Sequence, residues 1–398
     1  MKLLALCIFT FLFFSLSTVL SAQEINPGAA KFYNLGIEQV KNGDFQNAVA
    51  SFDSALAYEK DYRFYFQKGI ALKKLQMFNE SLPAFQEVIK LKPDYEASYY
   101  ALAGSFQSLG QTDNAIINYK KVIELKPDYE SAYFALAVSY QNSGKTEDVI
   151  GVYLKLLQNT KNDTTKNTVK ETLALTYYNL GNDKQAAADL QGAIDSYDNS
   201  LKYAQDYKTF YQKAIALKKL KKAEESVPVL LEVIKLKPDY DGGYNALAGS
   251  FFVLGKMDDA IANYEKVLLI STNEDLKTKV KEPLARAYHK LGSDLAQKKQ
   301  YKKAIVPFLK ALEYFNLDVT YLTLANCYNE TKEYDNAITA AENALKYKST
   351  ISVGGPDYYL GIAYKNKKNL PKAKEYFLLA KEDPKYKKAA EYELGLIK

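Results

Sequence analysis

Few side chains in this sequence could do covalent or acid–base chemistry. The single histidine, His289, stands in Ala287-Tyr288-His289-Lys290, which excludes metal sites built on two or three histidines. The two cysteines are Cys7 and Cys327. Cys7 lies in an N-terminal apolar run. Cys327, in Leu324-Ala325-Asn326-Cys327-Tyr328, falls on what reads as a packed helix face, where a free thiol behaves as a small hydrophobe. No cysteine pair offers a zinc site and no glycine-rich phosphate loop occurs; Gly43, Gly110 and Gly144 read as turn residues. A Ser-His-Asp arrangement through His289 finds no supporting neighbours. The chemistry expected is therefore recognition: no enzyme, no cofactor and no metal.

Recognition needs surface. The chain has 34 Tyr and 19 Phe but no Trp, and rings give contact area with few rotors to freeze. Charge is balanced, 53 basic against 47 acidic residues for a net +6. The two signs are interleaved, without the basic stripe that marks nucleic-acid binders, so no nucleic-acid partner is expected. Two lysine pairs, Lys73-Lys74 and Lys218-Lys219, recur within one repeated phrase, Ile-Ala-Leu-Lys-Lys-Leu. Their ordinary reading is a solvated helix face; the alternative is an anchor for a carboxylate.

The N-terminus carries Lys2, an apolar run from Leu3 to Leu20, then Ser21-Ala22-Gln23-Glu24. A positive start, an apolar stretch and small residues before a polar boundary form a secretory signal, with cleavage expected after Ala22. An uncleaved anchor is the alternative. Residues 1–22 are thus assigned to a signal peptide and 23–28 to a short lead, and the chain is expected to be exported, periplasmic or associated with the cell envelope.

The elements that would position the rings come from internal repetition. Leu91-Lys92-Pro93-Asp94-Tyr95 returns 34 residues later as Leu125-Lys126-Pro127-Asp128-Tyr129, and again as Leu236-Lys237-Pro238-Asp239-Tyr240. Between the first two phrases, Tyr99, Leu102, Ala103 and Phe106 share one helical face. Leu109-Gly110-Gln111-Thr112-Asp113 makes a turn, Gly110 taking a left-handed conformation and Asp113 capping a second helix. Ala115, Ile116, Tyr119, Val122 and Ile123 form its apolar stripe, and Pro127 ends it.

These residues resemble the tetratricopeptide repeat family. Its large aromatic, Leu-Gly or Leu-Ala, second aromatic, Ala, aromatic, Ala and closing Pro are matched by Tyr99, Leu102-Ala103, Phe106, Ala115, Tyr119, Val122 (in the place of the second Ala) and Pro127. Phe32, Leu35-Gly36, Ala48, Phe52 and Ala55 match in an earlier repeat, where Lys60 replaces the Pro. The resemblance implies an all-α fold, a right-handed α-solenoid of about ten helix–turn–helix repeats. They start near 29, 62, 96, 130, 174, 207, 241, 285, 318 and 354, and a capping helix over 388–398 closes the array of 29–398. Insertions around 162–173 and 273–284 are expected to lengthen the first helices of repeats five and eight. Gly355-Pro356-Asp357-Tyr358 predicts a late start for the tenth repeat, and Pro307 a kink.

In that family the first helices line a concave groove that receives a peptide or partner helix, and the residue after the leading aromatic faces it. Here that slot holds Tyr33, Phe66, Tyr100, Phe134, Tyr178 and Tyr211, followed by Asn245, His289, Leu322 and Tyr358. Six consecutive rings form a ladder. Lys73 and Lys218 are placed along the same lining. The family's Lys/Asn carboxylate clamp is absent, its positions held by Tyr33, Ile37, Gln67, Ala97 and Ala101. The function expected is a non-catalytic scaffold of the cell envelope, in an envelope-associated complex, that holds a protein or peptide in an aromatic groove. Carbohydrate or peptidoglycan binding is the alternative.

Overall fold

The computed structural model describes residues 25–397; the segment read as a signal peptide lies outside them. Among the described residues the chain forms 21 α-helices and no strand. Two compact units divide between Val169 and Lys170.

In the first unit α1 (Pro27–Lys41) pairs with α2 (Phe45–Tyr58), α3 (Tyr62–Lys74) with α4 (Phe78–Leu91), α5 (Glu96–Ser108) with α6 (Thr112–Leu125) and α7 (Glu130–Asn142) with α8 (Thr146–Asn159). The division falls inside α9 (Asp163–Ala186). In the second unit α9 meets α10 (Leu190–Leu201) through the Tyr178–Tyr197 ring contact. There follow α11 (Tyr207–Lys219) with α12 (Ala223–Leu236), α13 (Asp241–Val253) with α14 (Met257–Ile270), and α15 (Glu274–Gln297) with α16 (Tyr301–Tyr314). Then come α17 (Asp318–Glu330) with α18 (Tyr334–Lys346), α19 (Gly354–Asn366) with α20 (Leu370–Lys381), and α21 (Lys387–Leu396) packed on α20 as a cap. No helix among the described residues is long and apolar enough to cross a membrane.

One device closes the turn inside every pair: a residue with positive φ. Glycine supplies it at Gly43, Gly110, Gly144 and Gly255, and side-chain-bearing residues do so at Gln76, Ala188, Lys221, Lys299, Lys332 and Lys368. A second device sets the approach of the paired helices. Gly36, Gly69, Gly181, Gly292 and Gly361 sit beneath the rings of Phe52, Phe85, Tyr197, Phe308 and Phe377, and a Cβ on any of them would come within 2.8 Å of the ring. Those five rings are fully buried. A small residue in the first helix thus admits a large one from the second, and these five pairs each close on a ring.

The two insertions lie in α9 and α15, each 24 residues long. The segment leading into each is tied back to the first residue of an earlier helix. Glu130 accepts from the hydroxyls of Thr160 and Thr165, the latter at 2.7 Å, and Asp241 accepts from Ser271 at 2.5 Å.

Two local expectations change. Asp113 is not a cap: Gln111 holds that place without a side-chain bond, and Asp113 instead sets negative charge in the first turn, where the helix dipole favours it. The tenth repeat does not start late. α19 begins at Gly354, and Asp357 fills the leading-ring slot, buried, its carboxyl pushed by that burial up to about 6. Pro307 lies inside α16, which runs from Tyr301 to Tyr314.

Candidate functional site

The six ladder rings are half-buried, and each has a defined backing. In the first unit Tyr33 packs on Phe52 (centroids 6.0 Å apart) and Phe64 (4.9 Å), Phe66 on Phe85 (5.9 Å), Tyr100 on Tyr119 (5.6 Å) and Phe134 on Tyr153 (6.0 Å). In the second, Tyr178 packs on Tyr197 (6.1 Å) and Tyr211 on Tyr240 (5.2 Å). Burial, with Tyr100 adding to it, pushes the Tyr119 phenol up to about 12, and burial with Tyr178 does the same for Tyr197. These phenols are hydrogen-bonding groups, not bases.

The leading rings do a different job. The hydroxyls of Tyr99, Tyr133 and Tyr244 donate to the carbonyls of Pro93, Pro127 and Pro238, at 3.1, 2.9 and 3.2 Å. They fasten each first helix to the loop before it. The ladder rings meet the tyrosine that ends such a loop: Phe66 on Tyr95 (5.1 Å), Tyr100 on Tyr129 (5.2 Å), Tyr211 on Tyr240. Tyr95, Tyr129 and Tyr240 were not among the expected site residues. Their signal was present in the recurring Lys-Pro-Asp-Tyr phrase, whose last residue is a ring each time.

Lys73 and Lys218 are not solvated-face residues. Both are half-buried while Lys74 and Lys219 are exposed. Lys73 reaches from α3 to α5, where Nζ donates to the Ala101 carbonyl at 3.1 Å; Lys218 reaches from α11 to α13 and donates to Ala246 at 2.8 Å. Burial lowers both ammonium pKa values, with Lys74 adding to the effect at Lys73. Behind each carbonyl stands the same buried hydroxyl pair, Ser81···Ser105 (2.8 Å) in the first unit and Ser226···Ser250 (2.9 Å) in the second. The ammoniums fit because the facing residue is glycine: a Cβ on Gly104 would lie 2.7 Å from Lys73 Nζ, and one on Gly249 would lie 3.0 Å from Lys218 Nζ. The groove slot that holds Ile37, Ile70, Val138 and Ile215 elsewhere is therefore emptied where a lysine head must fit.

His289 occupies the ladder slot of its repeat and packs on Phe308 (5.5 Å) as the rings pack on theirs. Its Nδ1 shares a hydrogen bond with Thr320 Oγ1 at 3.0 Å and its Nε2 with Ser293 at 3.3 Å. Burial, helped by Arg286 and Lys290, lowers its pKa to about 4, so the ring is neutral near pH 7. Cys327 is fully buried, and burial raises its thiol to about 11, far from thiolate reactivity.

Helix pairs joined by one left-handed turn residue, five of them closed by a ring over a glycine, define a helical repeat protein whose first helices carry part-exposed side chains. Models described as tetratricopeptide repeat match residues 33–96, 132–168, 172–200, 207–240 and 319–350, and one described as TPR repeat matches 104–144. The chain belongs to the tetratricopeptide repeat family. No curated protein matches it. Among solved structures it is similar to the TPR domain of P58(IPK), at 16% identity over 85% of this chain and 97% of that one, TM-score 0.31. A tetratricopeptide repeat protein from Parabacteroides merdae is 13% identical over 66% of this chain and 99% of that one, TM-score 0.35. The TPR2AB domain of yeast Sti1, solved as a pHSP90 complex, is 16% identical over 66% and 97%, TM-score 0.38.

Proposed function

We propose that this protein is a non-catalytic scaffold of the cell envelope that holds a peptide or protein partner along the ladder face of its first helices. The observation that carries the reading is the set Tyr33, Phe66, Tyr100 and Phe134: four successive first helices of one compact unit, one slot, four half-buried rings, each held from behind by a ring of the second helix. Rings fixed in this way offer apolar area at little cost in side-chain entropy, which is the character of binding hot spots. The poverty of reactive groups, with His289 neutral and hydrogen-bonded and Cys327 buried, supports a binding role. The envelope assignment rests on the N-terminal apolar segment from Leu3 to Leu20 and its small-residue boundary.

The test is capture of envelope proteins by the chain from Gln23 onward, compared with the Tyr100→Ala/Phe134→Ala double variant, with helicity and thermal unfolding followed in parallel. Loss of a specific partner by a variant that stays folded is the expected result. Unchanged capture of every partner by that variant overturns the groove reading. Retention of the chain on purified sacculi stripped of protein is the outcome that carbohydrate binding requires.

A further inference from the structure

Many ion-paired lysines among the described residues are answered by an acid on their own helix, as Lys90 is by Glu87, Lys121 by Glu124 and Lys235 by Glu232. Lys73 and Lys218 are more deeply placed, and no carboxylate pairs with either among the described residues; their contacts are the Ala101 and Ala246 carbonyls. A half-buried ammonium facing only a backbone carbonyl keeps N–H donors to spare and is short of negative charge.

The chain itself shows what this slot accepts. Lys73, Lys218 and Lys365 each stand four residues after the small residue of their first helix (Gly69, Ala214, Gly361). In the last repeat, where the capping helix α21 stands in place of a following repeat, Lys365 is answered by the carboxylate of Glu393. In the two earlier repeats the following repeat presents a first helix with glycine opposite, and no acid is supplied. The half-buried ammoniums are flanked by the phenols of Tyr119 and Tyr264, whose oxygens lie 3.8 and 3.7 Å from where a Cβ on Gly104 or Gly249 would be.

We infer that Lys73 and Lys218 are carboxylate receptors for an acidic segment of the partner, one in each compact unit, each supplying by intermolecular contact the pairing that Glu393 supplies to Lys365. The inference rests on the reading of the first helices as a partner-binding face, and it specifies that partner as an acidic peptide. Charge complementarity agrees: the chain carries a net +6, which favours encounter with acidic partners.

The probe is a fluorescein-labelled peptide of alternating Glu and Tyr, with a Gln/Tyr peptide as its uncharged counterpart, titrated against the chain from Gln23 onward by anisotropy. The Glu peptide is expected to bind at least tenfold tighter, with affinity falling as salt rises. Lys73→Gln and Lys218→Gln are each expected to weaken it three- to tenfold, while Lys74→Gln and Lys219→Gln, on the exposed neighbours, change it less than twofold. Equal effects of the buried and exposed lysines would mean diffuse attraction and would overturn the proposal. So would Lys73→Gln and Lys218→Gln variants that bind the Glu peptide like the parent, whether or not their melting temperature falls. A partner captured from envelope extracts, lost on Tyr100→Ala/Phe134→Ala yet retained by both lysine variants, leaves the groove reading standing and removes this one.

Discussion

The Cα of Gly69 lies so close under the ring of Phe85 that a single methyl group there would stand 2.6 Å from Cε1. Phe85 is fully buried, and it also backs the ladder ring Phe66 at 5.9 Å. Helix approach and ladder geometry are therefore set by one contact. Gly69→Ala must push the ring off its place, and overpacking of this kind costs roughly 1–3 kcal/mol. Urea unfolding monitored by circular dichroism should show that loss, with helix content preserved. Gly151, inside α8 with nothing within 4 Å of a Cβ, is the control: Ala there should gain roughly 0.5–1 kcal/mol through helix propensity.

Ala188 and Lys221 hold φ of 63° and 61°, in the region where a Cβ crowds the following carbonyl at roughly 1–2 kcal/mol. Four pairs use glycine at the equivalent turn. Ala188→Gly and Lys221→Gly should each raise stability by about 1 kcal/mol, less what glycine's freedom in the unfolded chain takes back. The reverse change, Gly110→Ala at φ 71°, should lower it by a similar amount. Chemical denaturation midpoints of the three variants check the signs.

How much of this was legible in the sequence follows from which forces are local. The 34-residue phrase from Leu91 to Tyr129, the helix stripes and the small residues Gly36 and Ala103 are governed by near neighbours, and they revealed the family and the pairs. The ladder rings were legible as a slot, but not as what backs them: Tyr95 and Tyr240 come from loops at the ends of their repeats, and only packing brings them to Phe66 and Tyr211. Lys73 and Lys218 read as surface because charged residues on helices usually are. Their burial depends on Gly104 and Gly249, about 31 residues ahead in the next repeat. Asp357 was misplaced for a related reason: a carboxylate in a ring slot has no local signature, and its burial is decided by neighbouring helices.

His289 gives the second unit a pH dependence. Its folded pKa is lowered from 6.5 to about 4, so between those values the unfolded chain binds the proton more readily than the folded one. Stability from this group is complete above pH 6.5 and is lost as pH falls towards 4, by up to ~3 kcal/mol if the shift is fully expressed. His289→Phe keeps a ring against Phe308 and removes the titration. Melting temperatures from pH 7 to pH 4 should fall less steeply in His289→Phe than in the parent; parallel slopes would show that His289 is not the group responsible.

Asp318, at the start of α17, has the same sign at lower pH, for its folded pKa is depressed too. It is 2% exposed, and its Oδ2 accepts from the backbone amides of Ser349 at 2.7 Å, Thr350 at 2.5 Å and Ile351 at 3.0 Å, while Oδ1 accepts from the Thr350 hydroxyl at 2.9 Å. Burial pushes the carboxyl up, but the three amides and the hydroxyl outweigh it and hold the pKa well below the usual carboxylate range. A depressed folded pKa adds stability above the unfolded value near 3.8 that is lost as pH falls below it. One side chain thus pins the 349–351 loop that carries the chain from α18 into α19. Asp318→Asn keeps the shape but replaces a charged acceptor by a neutral one, and should lose roughly 1.5–3 kcal/mol at pH 7. Asp318→Ala leaves those amides unmet and should lose more. Hydrogen exchange is the discriminating measurement: the amides of Ser349, Thr350 and Ile351 should exchange faster in both variants, while those of α3 and α5 in the first unit keep the parent's protection.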